Sequence, residues 1–303
     1  IDGSNTVNGT TRDLTIENTS VTSPIAVWFG STGTTTMNAS GIKNCNVING
    51  VNTSSAIVLT DGALTTAGGY FTNFTIQNNS VQKAYIGIYS FYATAAGNGN
   101  GCVYSGNSIN TSGANSVRYI GIYVQAADGI LVTNNDIGNF DGTSAEDDKG
   151  IWFASGNING TARGNYIHDL AYTGTGGYGG QGIAVSTTIT GANMTLANNM
   201  ITNMSGDGWN YTSIATDNPI GISIFGSIGQ SGINVYHNSI NLYGNTLNQT
   251  SAMSMGIYLA SLSNADIRNN SIVNNQGLLG ATGYGTRSEE RRVGKECRSR
   301  WSP

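Results

Sequence analysis

Two short motifs alternate along this chain, and their alternation constrains the fold more than any other feature. The first motif is apolar-x-apolar-x-Asn-Asn-x-apolar, and the second is Gly-Ile-x-apolar. Clear copies of the first are FTIQNNSV (74–81), ILVTNNDI (130–137), MTLANNMI (194–201), INVYHNSI (233–240) and ADIRNNSI (265–272). Weaker copies are LTIENTSV (14–21), CVYSGNSI (102–109) and GTARGNYI (160–167). A fixed period of this kind is typical of repeat architectures.

The second motif sets the length of the repeat. Its glycines lie 29 to 39 residues apart and are Gly87, Gly121, Gly150, Gly182, Gly221 and Gly256. Two degenerate early copies are IAVWF (25–29) and AIVL (56–59). The segment that leads from Gly-Ile to Asn-Asn is short, whereas the return segment varies in length. Each repeat therefore contains two or three short strands, one tight corner and one variable loop.

Alternation of apolar and polar residues runs through every strand segment, and no segment keeps a helical apolar period. Propeller blades would need hairpin turns inside each unit, and the variable loop takes their place here. We therefore predict an all-β fold, a single-stranded right-handed parallel β-helix of about 8–9 coils, in which each strand pairs with its counterpart in the next coil. The spacing does not show the handedness, which comes from the crossover rule and from the family resemblance given below.

The Asn-Asn corner has a physical reason. A tight bend needs one residue at positive φ, which Asn tolerates better than other residues except Gly. Gly106 and Gly164 replace the first asparagine in two copies, and His237 replaces it in a third. The second asparagines are predicted to stack as a structural amide ladder. These residues are Asn79, Asn107, Asn135, Asn165, Asn199, Asn238 and Asn270.

The two motifs resemble those of right-handed parallel β-helix repeat proteins of the pectate-lyase-like superfamily. The resemblance covers roughly residues 10–280. The opening IDGSNTVNGTTRDLTIENTS and the Asn/Thr-rich style are similar to large secreted or surface proteins of the Bacteroidetes kind. The resemblance implies an extracellular or cell-surface bacterial protein, with polysaccharide lying on the face of the Gly-Ile strand. The polygalacturonase signatures are absent as a set, so the resemblance specifies the fold and not an activity.

The domain organisation follows from one abrupt change of composition. Residues 1–286 form the predicted β-helix domain, a fragment of a longer protein. The tail RSEERRVGKECRSRWSP (287–303) resembles a translated sequencing adapter and is set aside as non-native and disordered. Without its 6 Lys/Arg and 3 Asp/Glu, the chain keeps 13 − 6 = 7 basic and 17 − 3 = 14 acidic residues, a net charge of −7. Cys45 and Cys102 belong to different repeats, which argues against a disulfide or zinc framework.

Aromatic residues recur at one outward position of the Gly-Ile strand. The column reads Trp28, Val58, Tyr89, Tyr123, Trp152, Ala184, Ser223 and Tyr258. The glycines are expected to form a second outward column beside it, so that the two make a shallow trough. Aromatic faces suit the C–H faces of sugar rings. The predicted substrate-binding residues are therefore Trp28, Tyr89, Tyr123, Trp152 and Tyr258, although the same rings could simply stack on one another and shield the sheet.

Acidic residues cluster in the loops that return to this strand. The segment EDDKG (146–150) brings Glu146, Asp147, Asp148 and Lys149 immediately before Gly150. Asp217 holds the position equivalent to Glu146 two coils later, about 10 Å along the axis. These five residues are the catalytic candidates.

Two kinds of chemistry would suit these carboxylates. The separation fits an inverting carboxylate pair or, with Asp128 and Asp141, a Ca²⁺ site. A solvated acidic loop is the simpler reading. The neighbours His168 and Asp169 could do acid–base work, but a single exposed histidine is more often incidental.

Three functions stay open from the sequence. The leading hypothesis is a secreted or surface module that binds polysaccharide or a cell-surface glycan without catalysis. The alternatives are a polysaccharide lyase or glycoside hydrolase that acts on an acidic polysaccharide, and a structural stalk. We expect a monomer, no nucleic-acid partner, no membrane span, and no cofactor apart from the Ca²⁺ that the carboxylates suggest.

Overall fold

The computed structural model describes residues 1–226, 229–260 and 263–279 and shows an all-β parallel solenoid of about 8 turns with 1% helix. Three long parallel sheets run the length of the solenoid, and their arrangement fits a right-handed β-helix. The predicted fold class is confirmed. The tail at 287–303, with Cys297, lies outside the described residues. Within the described part, no helix has the length and apolar content needed to cross a bilayer.

The pre-asparagine sheet contains the strands that lead into the tight corner. It has eight strands. They are Gly41–Lys43, Thr75–Gln77, Val103–Ser105, Leu131–Thr133, Thr161–Arg163, Met194–Ala197, Ile233–Tyr236 and Ala265–Arg268.

The post-asparagine sheet follows the corner and has nine strands. They are Leu14–Glu17, Cys45–Ile48, Ser80–Gln82, Ser108–Ile109, Asp136–Phe140, Tyr166–Ala171, Met200–Ser205, Ser239–Leu242 and Ser271–Asn274.

The Gly-Ile sheet follows the variable loops and has eight strands. They are Val27–Ser31, Ile57–Asp61, Ile86–Phe91, Ile120–Gln125, Lys149–Phe153, Gln181–Val185, Ile220–Ile224 and Met255–Leu259. Among the described residues there are also two short strand pairs and one 3₁₀ turn. The pairs are Met37–Asn38 with Phe71–Thr72 and Asn245–Leu247 with Gly277–Leu278, and the turn is Gly113–Asn115.

The asparagine ladder forms as predicted. Each Nδ2 donates to the Oδ1 of the asparagine in the next coil at 2.9–3.0 Å, from Asn79 through to Asn270. The other Nδ2 hydrogen reaches a backbone carbonyl of the previous coil, as from Asn135 to Tyr104 at 3.0 Å. The same Oδ1 also accepts a backbone N–H, as Asn165 does from Asn135. Every polar atom of the ladder therefore has a partner without the help of water.

The residue before each ladder asparagine makes the bend. Asn134, Asn198 and His237 all have φ between 54° and 56°, and Gly106 and Gly164 have φ of 62° and 66°. This is the left-handed region that Asn and Gly tolerate best. The structural interpretation of His237 is confirmed.

The register corrects one weak motif copy. LTIENTSV was aligned with the pre-asparagine strands, but Leu14–Glu17 pairs with Cys45–Ile48 in the post-asparagine sheet. The pre-asparagine strand at this end is Gly41–Lys43, which precedes the corner at Asn44. Polar alternation is the same in both kinds of strand, so the pattern alone could not separate them.

The glycine column faces the core, which corrects the predicted trough. A Cβ on Gly121 would lie 2.5 Å from Cγ2 of Ile137, a fully buried core residue. Gly150 meets Ile167 in the same way at 2.5 Å. These positions need glycine because the core isoleucines of the post-asparagine sheet occupy the space of a side chain.

The outward position is instead the residue before each glycine. Ile86 lines an outer groove, and the Lys149 side chain reaches the outward Trp152 ring. Gln181 bonds the loop carbonyl of Thr216 at 2.7 Å. The strand is thus locally irregular at the glycine, because the glycine and the isoleucine after it, such as Gly121 and Ile122, both face the core.

Both cysteines in the described part of the chain, Cys45 and Cys102, are free thiols buried in the core. This agrees with a solenoid that depends on stacked strands and apolar packing, since neither thiol is part of a disulfide.

Candidate functional site

The aromatic file comprises Trp28, Val58, Tyr89, Tyr123, Trp152, Ala184, Ser223 and Tyr258, and the structure pairs these residues in consecutive coils. The file is interrupted, because Val58, Ala184 and Ser223 are buried. Trp28 stands at one end with 42% of its surface exposed, and Tyr258 stands at the other. The continuous aromatic run is therefore Tyr89, Tyr123 and Trp152.

The faces of these three rings are largely occupied by one another. Tyr89 and Tyr123 stack with ring centroids 5.1 Å apart and planes 8° apart. Tyr123 meets Trp152 edge to face, with centroids 5.3 Å apart. The Lys149 ammonium lies 5.0 Å from the Trp152 ring centroid. Mutual ring contact thus holds for the middle of the file, and Tyr89 also lines a groove on the side of Val58.

A groove of about 360 Å³ opens beside Tyr89. Tyr89, Val58 and Tyr85 line it together with the hydroxyls of Thr65 and Thr66. One apolar ring face beside several hydroxyls is the composition of a site that recognises a polar ring compound. Tyr85 and Thr53 also line a second groove of about 570 Å³, so the two openings adjoin.

Tyr85 and Tyr119 form a second aromatic pair that was not predicted from the sequence motifs. Their rings stack with centroids 4.8 Å apart and planes 29° apart. The signal was present in the sequence, since YIGIY occurs at 85–89 and again at 119–123. The first tyrosine of the first copy connects the groove to the acidic loop, because Tyr85 lines the groove and its OH donates to the Glu146 carboxylate.

The acidic cluster, defined as Glu146, Asp147, Asp148, Lys149 and Asp217, has a buried centre flanked by the half-buried Glu146 and Asp217, and is thus not a fully solvated loop. Asp147, Asp148 and Lys149 are 9%, 2% and 5% exposed. Asp147 accepts hydrogen bonds from the Gly179 N–H at 3.1 Å and from Gln181 Nε2 at 3.3 Å. Lys149 Nζ lies 3.8 Å from Asp147 Oδ2 and donates to the Asp147 carbonyl at 2.9 Å.

Burial perturbs the ionisation of the cluster. It raises the pKa of Asp147 to about 7, against the opposing pull of Lys149. Burial also raises the pKa of Asp148 and, for the opposite charge, lowers the pKa of Lys149. The pKa of Asp217 is raised by its partial burial. Carboxyls that exchange a proton near neutral pH are unusual and are concentrated at functional sites.

Two buried polar atoms of this region have no hydrogen-bond partner among the described residues. They are Asp148 Oδ2 and Gln181 Oε1, which belong to side chains 2% and 0% exposed. An orphaned buried polar atom is costly in a native structure and calls for an explanation such as a bound proton, water or ligand.

The predicted pairing of the Asp217 carboxylate with that of Glu146 needs adjustment. The carboxyl that interacts electrostatically with Asp217 is Asp147, and Lys149 lies within reach of both. Asp128 is held by the Gly97 N–H and by Asn159, and Asp141 pairs with Arg118. In residues 1–226, 229–260 and 263–279, no three His, Cys, Asp or Glu side chains are grouped to hold a metal ion. The Ca²⁺ expectation therefore gains no support from the arrangement.

A buried aspartate holds the loops that cover the cluster. Asp207 accepts the backbone N–H groups of Gly177 and Tyr178 at 3.0–3.1 Å and the Gln249 amide at 2.8 Å. The adjacent Gly179 N–H is a partner of Asp147. Asp207 thus joins loops of three coils and fixes the segment that closes over the cluster.

His168 lies elsewhere, on the outer face of the post-asparagine sheet. Its Nδ1 bonds Asp169 at 2.8 Å and its Nε2 bonds Asp136 of the previous coil at 3.0 Å. The Tyr166 ring stacks on the imidazole with centroids 4.4 Å apart. Because both ring nitrogens and one ring face are engaged, this group ties two coils together.

Searches against protein-family models, curated proteins and solved structures return no match for this chain. The structural features that bear on function are therefore the groove, the aromatic rings and the acidic cluster.

Proposed function

We propose that this solenoid is a secreted or cell-surface module that binds a polysaccharide in the groove beside Tyr89. The observation that carries the proposal is a groove of about 360 Å³ lined by Tyr89 together with Thr65 and Thr66. The resemblance of the repeat to pectate-lyase-like β-helices supports the same face. From Trp28 to Trp152 the aromatic file spans four coil steps, about 19 Å, which suits an extended chain.

Affinity gel electrophoresis against a panel of polysaccharides tests the proposal. Tyr89→Ala should weaken retention about tenfold, since it removes the ring face, whereas Tyr89→Phe should bind nearly as well as the parent. Tyr123→Ala and Trp152→Ala should weaken it less, because their faces are already covered. Tyr243→Ala, which removes an exposed tyrosine outside the file, is the control.

Equal retention of folded Tyr89→Ala and parent protein would contradict this binding face. If no polysaccharide of the panel retains the protein, the structural stalk is left as the remaining function.

A second candidate function is cleavage of the bound glycan by a lyase or hydrolase activity at the acidic cluster. It is favoured by one observation, the burial of Asp147 and Asp148 beside Lys149 with Asp148 Oδ2 unpartnered. A protonated carboxyl and an ionised one within one site are the parts that glycosidic cleavage uses. New reducing or unsaturated ends should appear with the parent protein and vanish in Asp147→Asn and Asp148→Asn. A product-free panel would remove this candidate.

A further inference from the structure

The charges around the groove bear on which glycans it can accept. Lys149 is enclosed, since only 5% of it is exposed and its ammonium faces Asp147 and the Trp152 ring. Arg118, which lines the larger groove, is already paired with Asp141 and also donates to the Gly113 carbonyl. Neither cation is therefore free to meet a carboxylate on a ligand.

The accessible charge beside the groove is acidic. Glu146 is half-buried and accepts the hydroxyl of Tyr85, a residue that lines both openings. The chain without its tail has a net charge of −7, with 7 basic and 14 acidic residues, so the long-range field has the same sign.

The remaining groups of the two openings are uncharged. They are hydroxyls, amides and aromatic rings, such as Asn52, Thr53, Thr65, Thr66 and Thr143. Such groups exchange hydrogen bonds with sugar hydroxyls without a change in charge. Gly142, which lines the larger groove, lies beside the carboxylate of Asp148, whose buried Oδ2 has no partner among the described residues.

From these observations we infer that the groove selects a neutral glycan and discriminates against polymers of uronic acids. This inference rests on the proposed binding function and narrows its ligand class. A uronate polymer carries one carboxylate on each unit, and a unit bound beside Tyr85 would approach the Glu146 carboxylate while Arg118 is already paired with Asp141. A neutral chain without uronate ester groups also lacks the carbonyl that acidifies a ring proton for β-elimination, so on such a chain the second candidate activity would be hydrolysis.

Polymer pairs that share a backbone and differ in charge provide the test. The pairs are polygalacturonate against its methyl ester, and carboxymethyl cellulose against hydroxyethyl cellulose. Retention of the neutral member should be stronger by about fivefold to tenfold in at least one pair, since one like-charge contact in water is worth about a factor of five. The preference should shrink when salt is raised from about 0.01 M to 1 M.

Two variants locate the effect. Glu146→Gln should lose most of the discrimination by binding the acidic member better, whereas Glu17→Gln removes an exposed carboxylate from a strand of another sheet and should keep it. Equal or stronger retention of the acidic members overturns the inference and leaves glycan binding intact. Retention of no polymer overturns the binding function and this inference together.

Discussion

Two buried polar arrays of this protein differ in how completely their atoms are paired. The asparagine ladder repeats in seven coils, from Asn79 to Asn270, and each amide meets partners in the coils above and below. The acidic cluster occurs once, and two atoms of its region, Asp148 Oδ2 and Gln181 Oε1, have no partner among the described residues. Complete pairing marks the ladder as structural, and incomplete pairing marks the cluster as a place where a proton, water or ligand belongs.

The largest expected effect breaks the ladder. Asn165→Ala would leave the Asn135 N–H and amide and the Val132 carbonyl unpaired in the core. Loss of several buried partners should lower the free energy of unfolding by about 4 kcal/mol. Urea unfolding followed by circular dichroism measures it. Asn241→Ala, on the exposed face of the post-asparagine sheet, should change stability by less than about 0.5 kcal/mol. Similar losses at both positions would contradict the structural role of the ladder.

A smaller effect should appear as a pH dependence of the cluster. The pKa of Asp147 is about 7 in the folded protein, above its ordinary value of 3.8. The folded state thus holds this proton more tightly than the unfolded chain. Its contribution to stability is complete below about pH 4 and is lost as the pH rises through about 7, by roughly 2–4 kcal/mol.

Asp147→Asn should remove this dependence, so that the variant gains stability relative to the parent between pH 4 and pH 8. Unfolding free energies measured at each pH give the difference. Glu17→Gln, at an exposed carboxylate, should follow the parent at every pH. Parallel curves for Asp147→Asn and the parent would show that Asp147 ionises normally.

Asp207, which joins the loops of three coils as a clamp, is expected to contribute less to the free energy of unfolding than the ladder does. Asp207→Ala removes the acceptor of the Gly177 and Tyr178 N–H groups and of Gln249, and should cost about 2 kcal/mol. The cost should be local, with faster proteolysis at residues 172–180 and little change elsewhere. Asp207→Asn keeps one acceptor oxygen and should show about half the effect. Uniform destabilisation of the whole solenoid would contradict a local clamp.

The smallest effect is expected at the unpartnered carboxyl. Asp148→Asn keeps the shape of the side chain and removes a buried ionisable group, so stability should change by less than about 1 kcal/mol or rise slightly. Glycan cleavage, if present, should be abolished. A loss as large as that of Asn165→Ala would mean that Asp148 is as structural as the ladder.

The predictable parts of this protein were those that repeat. The asparagine at 135 and its neighbours at 107 and 165 could be assigned to one ladder because the same corner recurs in coil after coil. The stacking of Tyr123 beside Trp152 followed from the same register. The copy at Leu14–Glu17 was assigned to the wrong sheet, because strands before and after the corner have the same alternation of apolar and polar residues.

The site was predicted only in part. The residues of EDDKG were recognised as a group, but their burial, their link to Tyr85 and the orphaned atom of Asp148 could not be read from the chain. The loops that enclose them differ in length and sequence, so no column of equivalent positions reveals what lies over what. A run of charged residues is normally exposed to solvent, so exposure was the expectation for this segment. The covering loops bury Asp147, Asp148 and Lys149 instead.

By itself, the sequence determined the coil, its corner and the vertical files of side chains, since stacked parallel strands turn a linear repeat into neighbours one rung apart. Tertiary structure alone decided that the glycines face the core and that the acidic cluster is enclosed. Both depend on how nonequivalent segments meet across the solenoid, as Gly121 meets Ile137 and Asp207 joins three loops. Such contacts arise from packing in three dimensions and leave no period in the chain.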